Sequence, residues 1–453
     1  MNKKMSILIV LIIVIILIIL SFMWRTNIKE IIEKVQIQNY GEPISENGEI
    51  NNAYFKINSE GKNAKETTKG INNAIEYANI HNIKYIKLSK GTYLINGVGK
   101  YTEKKGIILK SNITLDFNGS TIKHETVSDP RYSVITIFEE ENVKIVNGIV
   151  EGDKTEHDYD SIKSTHEYGY GIELRGAKNV EISNLSIKDL TGDGILISEM
   201  EEGFSIYKKD NISEDININN CNIYENRRQG ISVIDAENVK ISENEIHDIS
   251  GTKPAAAIDL EPNLKTEEVR KIKISKNKFY NLQNIYAIKT EGGTYDVDII
   301  KNEINGGLLI SSMEEIVKIY QNAIINGKID IALTDYNKNR GYNLNKVEVK
   351  DNIIKKADIS ILKVKNALFE SNEISNSDII SKDANLILYN NIFKENINKK
   401  FKYLISDELE DSYRLFICEN TQFESYKTEI PDDNRIKKSS DLEEMNKYIK
   451  ENL

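Results

Sequence analysis

The stretch GISVIDAENVKISENEIHDI, which runs from Gly230 to Ile249, contains three short runs in which apolar and polar residues alternate. An alternation with a period of two is typical of a β-strand that buries one face. The stretch is therefore predicted to hold three short strands separated by tight turns. Because one such unit cannot bury its apolar face alone, it must stack on copies of itself.

Copies of this unit recur from Asn142 to Phe393, and the later copies have asparagine at one fixed position. These asparagines are Asn244, Asn277, Asn302, Asn322, Asn352, Asn372 and Asn391. The earlier copies have Gly148, Leu185 and Cys221 there. Asparagines that repeat in stacked coils can form a ladder of side-chain amides, and asparagine also tolerates the left-handed backbone of a tight turn. We therefore expect an asparagine ladder that is confined to the C-terminal half.

The composition fits a β-solenoid better than a helical fold. The 453 residues include 25 glycines, 5 prolines and 2 cysteines, and the formal net charge is −10. Nucleic acid is not expected as a partner, because phosphate binding requires a basic surface. Cys221 and Cys418 lie far apart in the sequence, and we expect two free thiols without a disulfide framework or a zinc site.

The N-terminal run from Met5 to Trp24 is uncharged and almost wholly apolar, and Lys3 and Lys4 precede it. Its length matches a membrane-spanning helix, and basic residues before a span favour a cytoplasmic N-terminus. A cleaved signal peptide is the alternative, but no small-residue cleavage pattern follows the run. The sequence predicts a single-pass anchor in the cell membrane, with the rest of the chain outside the cell.

The rest of the chain is divided by its patterns into further segments. The predicted segments are a basic stub and anchor (1–24), a juxtamembrane helix and tether (25–54), an N-terminal cap (55–110), a β-helix (111–398) and a C-terminal cap with a terminal helix from about Asp441 (399–453). In the N-terminal cap, YFKIN from Tyr54 is predicted to be a strand, Thr67–Ala78 a helix, and KYIKLSKGTYLI from Lys84 another strand.

The cap sequence INSEGKNAKETTKGINNAIEYANIHNIKYIKLSKGTYLI, from Ile57, resembles the N-terminal cap of pectate-lyase-like right-handed parallel β-helix proteins. Ser89 stands where that family has proline before KGTY, and NITLDFNGSTI from Asn112 resembles the first full coil. The resemblance covers roughly residues 55–395 and implies an all-β, right-handed parallel β-helix with a short α/β cap. This superfamily includes pectate lyases, polygalacturonase-type hydrolases, uronan epimerases, phage tailspike glycosidases and proteins without catalytic activity.

One strand of each coil defines a face on which the candidate site residues fall. The residue that follows the aligned small residue of each coil is apolar and is therefore placed inside. The aligned small residues are Gly171, Gly194, Gly230, Ala257, Ala287 and Gly307. Alternate residues must then point outward. The outward residues are Tyr170, Glu173, Arg175, Asp193, Gln229, Ser232, Asp259, Glu261, Lys289 and Glu291, and Arg227 and Arg228 occupy a turn beside them.

Outward carboxylates on neighbouring coils fall within the separation that glycosidases use, because stacked coils lie roughly 4.8 Å apart. Asp193, Asp259 and Glu261 are the candidate acid, base or cation-holding carboxylates. Arg228 is the other catalytic candidate, since a lyase of the pectate type would use Arg228 or Lys289 as a base beside Ca²⁺ held by Asp259 and Glu261. The candidate substrate-binding residues are Tyr170, Glu173, Arg175, Arg227, Gln229, Lys289 and Glu291. The alternative is an ordinary solvated face of a solenoid.

Two long insertions, 151–169 and 199–215, are predicted to wall a groove beside these strands, whereas coils from about Ile316 lack such loops. Their aromatic residues could stack on sugar rings, and these are Tyr159, Tyr168, Phe204 and Tyr207. His157 and His166 of the first insertion are expected to be exposed.

Three short motifs resemble those of polygalacturonases. AIKT from Ala287 is similar to their RIKT, and GDGI and RQGI correspond to their NTDGI and GHGI, with Gln229 in place of the histidine. We therefore expect an extracellular protein that binds and cleaves an acidic polysaccharide by hydrolysis or β-elimination. The alternatives are a non-catalytic surface protein that binds polysaccharide or adheres, and a uronan epimerase.

Overall fold

The computed structural model describes residues 33–100, 103–200, 211–282, 286–311, 313–339, 341–394, 399–404, 415–418, 421–423, 427–430 and 436–439. The predicted membrane anchor, the predicted terminal helix, Phe204 and Tyr207 lie outside these residues. Within these ranges, no helix is both long enough and apolar enough to cross a bilayer.

The described part of the chain is a parallel β-helix with short helices near its N-terminus. The helices are α1 (Asn52–Phe55), α2 (Ala64–Ile80) and α3 (Asp335–Asn339), and residues 33–40 are also helical. One sheet has 13 described strands, which are β3 (Ile107–Ile108), β6 (Arg131–Phe138), β8 (Tyr168–Arg175), β10 (Asp193–Ser198), β13 (Gln229–Val233), β16 (Ile258–Leu260), β19 (Tyr286–Thr290), β22 (Gly307–Ile310), β25 (Lys328–Ala332), β28 (Asp358–Leu362), β31 (Ile379–Lys382), β34 (Lys400–Leu404) and β37 (Lys427–Glu429). We call it the 13-strand sheet.

The remaining strands form a second sheet of 25 described strands, called the 25-strand sheet. They are β1 (Tyr85–Lys87), β2 (Thr92–Ile95), β4 (Thr114–Asp116), β5 (Thr121–His124), β7 (Glu141–Glu151), β9 (Lys178–Lys188), β11 (Ser213–Asn219), β12 (Asn222–Tyr224), β14 (Ala236–Ser242), β15 (Glu245–His247), β17 (Val269–Ser275), β18 (Lys278–Tyr280), β20 (Thr294–Ile300), β21 (Glu303–Asn305), β23 (Met313–Tyr320), β24 (Ala323–Ile325), β26 (Leu344–Lys350), β27 (Ile353–Lys355), β29 (Asn366–Glu370), β30 (Glu373–Ser375), β32 (Leu386–Tyr389), β33 (Ile392–Lys394), β35 (Leu415–Cys418), β36 (Gln422–Phe423) and β38 (Ile436–Ser439). A typical coil, such as β13–β14–β15, gives one strand to the first sheet and two to the second, as the stretch from Gly230 predicted.

The core lies inside the coils and has the register that the sequence predicted. Ile172, Ile195, Ile231, Ile258, Ile288 and Leu308 pair in succession along the 13-strand sheet, and all are fully buried. The free thiol of Cys221 is also buried, at the inward position predicted for it. Each coil therefore buries its apolar residues only against its neighbours, as the argument from repeats requires.

The predicted asparagine ladder is present and buried. The Oδ1 atom of Asn277 accepts hydrogen bonds of 3.0 Å from both the backbone and the side-chain nitrogen of Asn244, and the Nδ2 atom of Asn277 donates to the Ile241 carbonyl at 2.9 Å. The same pattern repeats through Asn391. The left-handed residue, however, is the one before each asparagine, such as Lys276 with φ 58°. The expectation that asparagine itself takes this conformation is wrong, because its side chain must point inward to reach the next coil.

The N-terminal cap departs from the prediction at two elements, and one of these is the strand predicted from Lys84, which is divided into β1 and β2. Residues from Tyr54 were predicted to form a strand, but α1 ends there and Lys56 adopts φ 58° as its left-handed C-cap. Tyr54 and Phe55 are buried and pack against Tyr77 of α2, and this packing favours a short turn of helix over a strand. The predicted helix is confirmed and is longer than expected, and its buried face includes Ile71, Ala74, Ile75 and Ala78.

Candidate functional site

The outer face of the 13-strand sheet brings polar residues from distant parts of the chain into register. Ser232, Asp259 and Lys289 are aligned across β13, β16 and β19. Asp193 of β10 is paired with Gln229 of β13. Since parallel strands of neighbouring coils lie roughly 4.8 Å apart, these side chains are close enough for direct hydrogen bonds.

Arg228, which immediately precedes β13, is the centre of this arrangement. Its Nη1 atom donates to Oδ2 of Asp193 at 2.9 Å and to Oε1 of Gln229 at 2.7 Å. Its Nη2 atom donates to Oε1 and Oε2 of Glu261 at 3.1 and 3.3 Å. Burial alone would lower the pKa of Arg228, but the charges of Asp193 and Glu261 outweigh burial and raise it. Arg228 therefore bridges two carboxylates that belong to different coils.

Asp259 occupies the next position in this network and is fully buried. Its Oδ2 atom accepts from Nε2 of Gln229 at 2.8 Å and lies 3.2 Å from Nζ of Lys289. Among the described residues, its Oδ1 atom has no hydrogen-bond partner. Burial, followed by the charge of Glu261, raises the pKa of Asp259 well above its usual range, whereas Lys289 acts in the opposite direction.

Asp193 is the second buried carboxyl of the network. Ser232 donates to its Oδ2 atom at 2.7 Å and also donates to Oε1 of Gln229. Burial raises the pKa of Asp193 to about 6, although Arg228 acts in the opposite direction. Burial therefore raises the pKa of both Asp193 and Asp259, and buried carboxyls with raised pKa values are common in acid–base sites.

Glu291 completes the network through residues that the sequence did not indicate. Lys289 lies 2.9 Å from its Oε1 atom, and its Oε2 atom accepts from Ser311 at 3.1 Å and from Asn337 at 2.9 Å. Asn337 belongs to α3, in the connection between β25 and β26. The prediction that coils after Ile316 lack insertions at this face is therefore wrong. The length of the connection between β25 and β26 could have indicated this insertion from the sequence.

The alternative of an ordinary solvated face does not hold, because the outward residues are largely covered. Glu173, Asp193, Gln229, Ser232 and Asp259 are completely buried. The side chains that reach the surface are those of Arg228, Glu261, Lys289 and Glu291, which are 19%, 11%, 16% and 19% exposed. The network therefore has a buried layer and a surface layer.

Two of the predicted substrate-binding residues belong to a separate network. Arg175 Nε donates to Oε1 of Glu173 at 2.7 Å, and Nζ of Lys105 lies 3.3 Å from Oε2 of the same glutamate. Ser133 also donates to Oε2 of Glu173. Tyr170 packs with Leu196 and Ile234 in a small buried cluster. Glu173 and Arg175 are therefore buried inside the protein, away from any open groove.

The first predicted insertion meets the network at Glu167 and is called the rim loop (residues 152–167). Its histidines were expected to be exposed, but His157 and His166 are 7% and 1% exposed. Nδ1 of His157 lies 2.8 Å from Oδ2 of Asp153, and Nε2 of His157 lies 2.8 Å from Nδ1 of His166. Nε2 of His166 then donates to the Ile162 carbonyl at 2.6 Å. This hydrogen-bonded chain explains the burial of both imidazoles.

Arg227 holds the rim loop in place. Its Nη1 atom donates to the carbonyls of Thr165 and His166 at 2.9 and 3.0 Å, and its guanidinium lies 5.0 Å from the centre of the Tyr159 ring. The next loop residue, Glu167, lies 3.9 Å from Nε of Arg228. Arg227 therefore binds the rim loop, whereas Arg228 binds the network and meets the loop only at Glu167.

The carboxylates proposed to hold Ca²⁺ do not fit a metal site. Within the described ranges, no group of three or more His, Cys, Asp or Glu side chains is arranged to hold a metal ion. The oxygens of Glu261 accept from Arg228, and Oδ2 of Asp259 is engaged by Gln229 and Lys289. Cations of the protein thus occupy the positions that a calcium ion would need.

The fold and the network together define a mainly-β, parallel β-helix protein with a covered polar site on one sheet. Residues 72–261 match the family model described as right handed beta helix region, which confirms the predicted handedness. Two Bacillus subtilis (strain 168) proteins are similar in sequence. The uncharacterized protein YclG is 31% identical over 268 residues, which are 56% of this chain and 45% of YclG. The SPbeta prophage-derived uncharacterized protein YorA is 31% identical over 219 residues, 45% of this chain and 37% of YorA. The chain thus spans less than half the length of each relative.

Solved structures share this fold at low sequence identity. The A-module of mannuronan C-5 epimerase AlgE4 from Azotobacter vinelandii has a TM-score of 0.55 and 11% identity, over 85% of this chain and 98% of the module. A tailspike protein mutant of E. coli bacteriophage HK620, in complex with a pentasaccharide, has a TM-score of 0.55 and 14% identity, over 88% of this chain and 79% of the tailspike. These likenesses establish the fold alone.

Proposed function

We propose that this protein binds a polysaccharide across β8–β19 of the 13-strand sheet and hydrolyses a glycosidic bond there. The observation that carries the proposal is the pair formed by Asp259 and Glu261 on one strand segment. Burial raises the pKa of Asp259 well above its usual range and so favours its protonated form, whereas Glu261 forms an ion pair with Arg228. Two carboxyl groups in opposite protonation states are the requirement of glycoside hydrolysis.

In the proposed reaction, Asp259 donates its proton to the glycosidic oxygen as the bond to the anomeric carbon breaks. Glu261 accepts a proton from the water that adds to that carbon. One water is consumed, two hydroxyl ends form, and a proton then returns from Glu261 to Asp259. Because Asp259 is fully buried, a sugar reaches it only after a partly exposed neighbour such as Lys289 shifts toward Glu291.

Polysaccharide is supported as the ligand class by nearby aromatic residues and by the fold. Tyr159 of the rim loop and Tyr168 at the start of β8 are residues of the kind that stack on sugars, and in the unliganded protein their rings face Arg227 and Arg131. The tailspike with this fold was solved with a bound pentasaccharide, which supports the same ligand class by analogy. The apolar run Met5–Trp24 would anchor this surface outside a cell.

One observation favours a second candidate function, non-catalytic polysaccharide binding. Both surface cations of the network are already paired, Arg228 with Asp193 and Glu261, and Lys289 with Asp259 and Glu291. A network that is satisfied in this way can also serve as a rigid binding surface.

The test is to incubate the 453-residue chain with a panel of neutral and acidic polysaccharides and to measure new reducing ends and unsaturated uronates in parallel. We expect reducing ends without unsaturated products. Asp259→Asn and Glu261→Gln should each lower the rate by at least about a hundredfold while binding persists. Glu373→Gln, on the 25-strand sheet, is the matched control.

Unsaturated products would overturn hydrolysis in favour of elimination. Binding without any product would favour the non-catalytic function, and the absence of binding to every polysaccharide would overturn the proposal as a whole.

A further inference from the structure

Carboxyl groups outnumber cations in the network on the 13-strand sheet. The carboxyl groups are those of Glu167, Asp193, Asp259, Glu261 and Glu291, and the cations are Arg228 and Lys289. A proton on Asp259 reduces the excess but does not remove it. The described part of this site is therefore net negative.

The two cations have little capacity left for a negatively charged ligand. The Nη1 atom of Arg228 serves Asp193 and Gln229, its Nη2 atom serves Glu261, and its Nε atom faces Glu167. Lys289 uses two of its three N–H groups on Asp259 and Glu291. A ligand carboxylate that takes Arg228 must leave Asp193, which is fully buried, without its cation.

Three other cations on neighbouring strands and turns are also committed to the protein. Arg227 donates to the carbonyls of the rim loop. Arg175 and Lys105 lie in the buried network around Glu173 and are 1% and 6% exposed. In the part of the chain that the structure describes, these side chains are directed at protein groups instead of at the surface of the site.

From this distribution of charge we propose that the site selects uncharged polysaccharides and rejects polyuronates, a conclusion that rests on the proposed function. Neutral sugar hydroxyls can donate to the surface carboxylates Glu261 and Glu291 and accept from the remaining N–H of Lys289. A uronate carboxylate finds the same carboxylates and is repelled. The ligand is thus distinguished by its lack of charge, in contrast to the acidic polysaccharide that the sequence suggested.

The test compares each polyuronate with the product of its carboxyl reduction, in which the linkages are kept and the charge is removed. Binding of the 453-residue chain to polygalacturonate, to carboxyl-reduced polygalacturonate and to a panel of neutral glycans is measured by affinity electrophoresis. We expect the bound neutral glycan to exceed any polyuronate in affinity by at least about tenfold at low salt, and added salt to narrow the difference.

Glu261→Gln supplies a second test, because it removes the negative charge that is paired with Nη2 of Arg228. This variant should gain affinity for polygalacturonate by roughly tenfold, whereas Glu373→Gln removes the same charge from the other sheet and should not. Circular dichroism and a thermal melt confirm that each variant is folded.

Tighter binding of the polyuronate than of its reduced counterpart by the wild-type chain would overturn this inference and leave the proposed function intact. If the chain binds none of the polyuronates, none of their carboxyl-reduced counterparts and none of the neutral glycans, the proposed function is overturned, and this inference falls with it. Equal gains in Glu261→Gln and Glu373→Gln would show that general surface charge, and not Arg228, sets the preference, and would also overturn the inference.

Discussion

The Nδ2 atom of Asn337 in α3 donates a hydrogen bond of 2.9 Å to Oε2 of Glu291, although the two residues are 46 positions apart. Asn337 is fully buried and also donates to Oγ of Ser311 at 3.1 Å. A helix contributed by a later coil therefore fixes the carboxylate at one end of the network.

The first prediction concerns this contact. Asn337→Leu should weaken binding of the preferred polysaccharide by roughly tenfold, because a hydrogen bond to a charged group contributes about 1.5–3 kcal/mol. Affinity electrophoresis measures the change. Asn339→Leu makes the same substitution at an exposed position of α3 and should leave binding unchanged. Equal affinity of Asn337→Leu and the wild type would contradict a positioning role for Asn337.

The second prediction concerns the asparagine ladder. Asn322 accepts from the backbone nitrogen of Asn302 at 2.9 Å and donates to the Ile299 carbonyl at 2.8 Å. Asn322→Ala leaves both groups buried without a partner, so it should lower the free energy of unfolding by about 2–5 kcal/mol. Urea denaturation gives the value. Asn305→Ala, at an exposed position, should change it by less than about 0.5 kcal/mol. Similar losses for the two variants would rule out a special contribution of the ladder.

The third prediction concerns pH and two buried carboxyls outside the network. Burial raises the pKa of Asp235 and of Glu267 to about 7 from ordinary values of 3.8 and 4.5. At pH values between the unfolded and the folded pKa, the folded protein therefore keeps protons on these two carboxyls that the unfolded chain has released. The stability that these groups contribute is fully present below the unfolded values and is lost as pH rises to about 7.

Urea denaturation at about pH 5 and about pH 8 tests this sign, and these two groups should lower the stability of the wild type by roughly 5 kcal/mol between the two pH values. The double variant Asp235→Asn, Glu267→Gln should lose clearly less, and the rest of the slope should come from Asp193 and Asp259, whose pKa values are also raised. A double variant with the wild-type slope would assign the pH dependence to other groups.

The fourth prediction concerns the anchor of the rim loop. Arg227→Met removes the hydrogen bonds to Thr165 and His166, so the loop should open more often and trypsin should cleave after the exposed Lys163 roughly tenfold faster. Mass spectrometry of a time course identifies the site. Arg131→Met, which removes an exposed arginine that stacks on Tyr168, is the control. Unchanged cleavage in Arg227→Met would mean that the histidine chain alone holds the loop.

The sequence was sufficient for the register of the coils and for the position of the ladder. Alternation determines which residues are buried, and stacking then aligns Ile195 with Ile231 and Asn244 with Asn277. It also placed Asp193, Asp259 and Glu261 on one face. These features follow from local periodicity alone.

The sequence could not reveal how deeply that face is covered. The burial of Asp193 and Asp259 depends on side chains and loops that fold over them from other coils. The contact between Asn337 and Glu291 and the pairing of His157 with His166 likewise arise from loops, whose paths no periodic pattern encodes.

The last part of the ladder has an almost constant spacing. Successive ladder asparagines are 20 residues apart from Asn352 to Asn372 and 19 from Asn372 to Asn391, whereas 30 residues separate Asn322 from Asn352. Removal of one whole coil there would bring together an identical donor and acceptor, so the coils from Asn352 onward are suited to growing or shrinking by complete turns. The coils of the network have no such interchangeability, because Arg228, Asp259 and Glu291 each meet a different partner. The coils from Asn352 onward and the coils of the network are thus open to different kinds of evolutionary change, in number for the first and in specificity for the second.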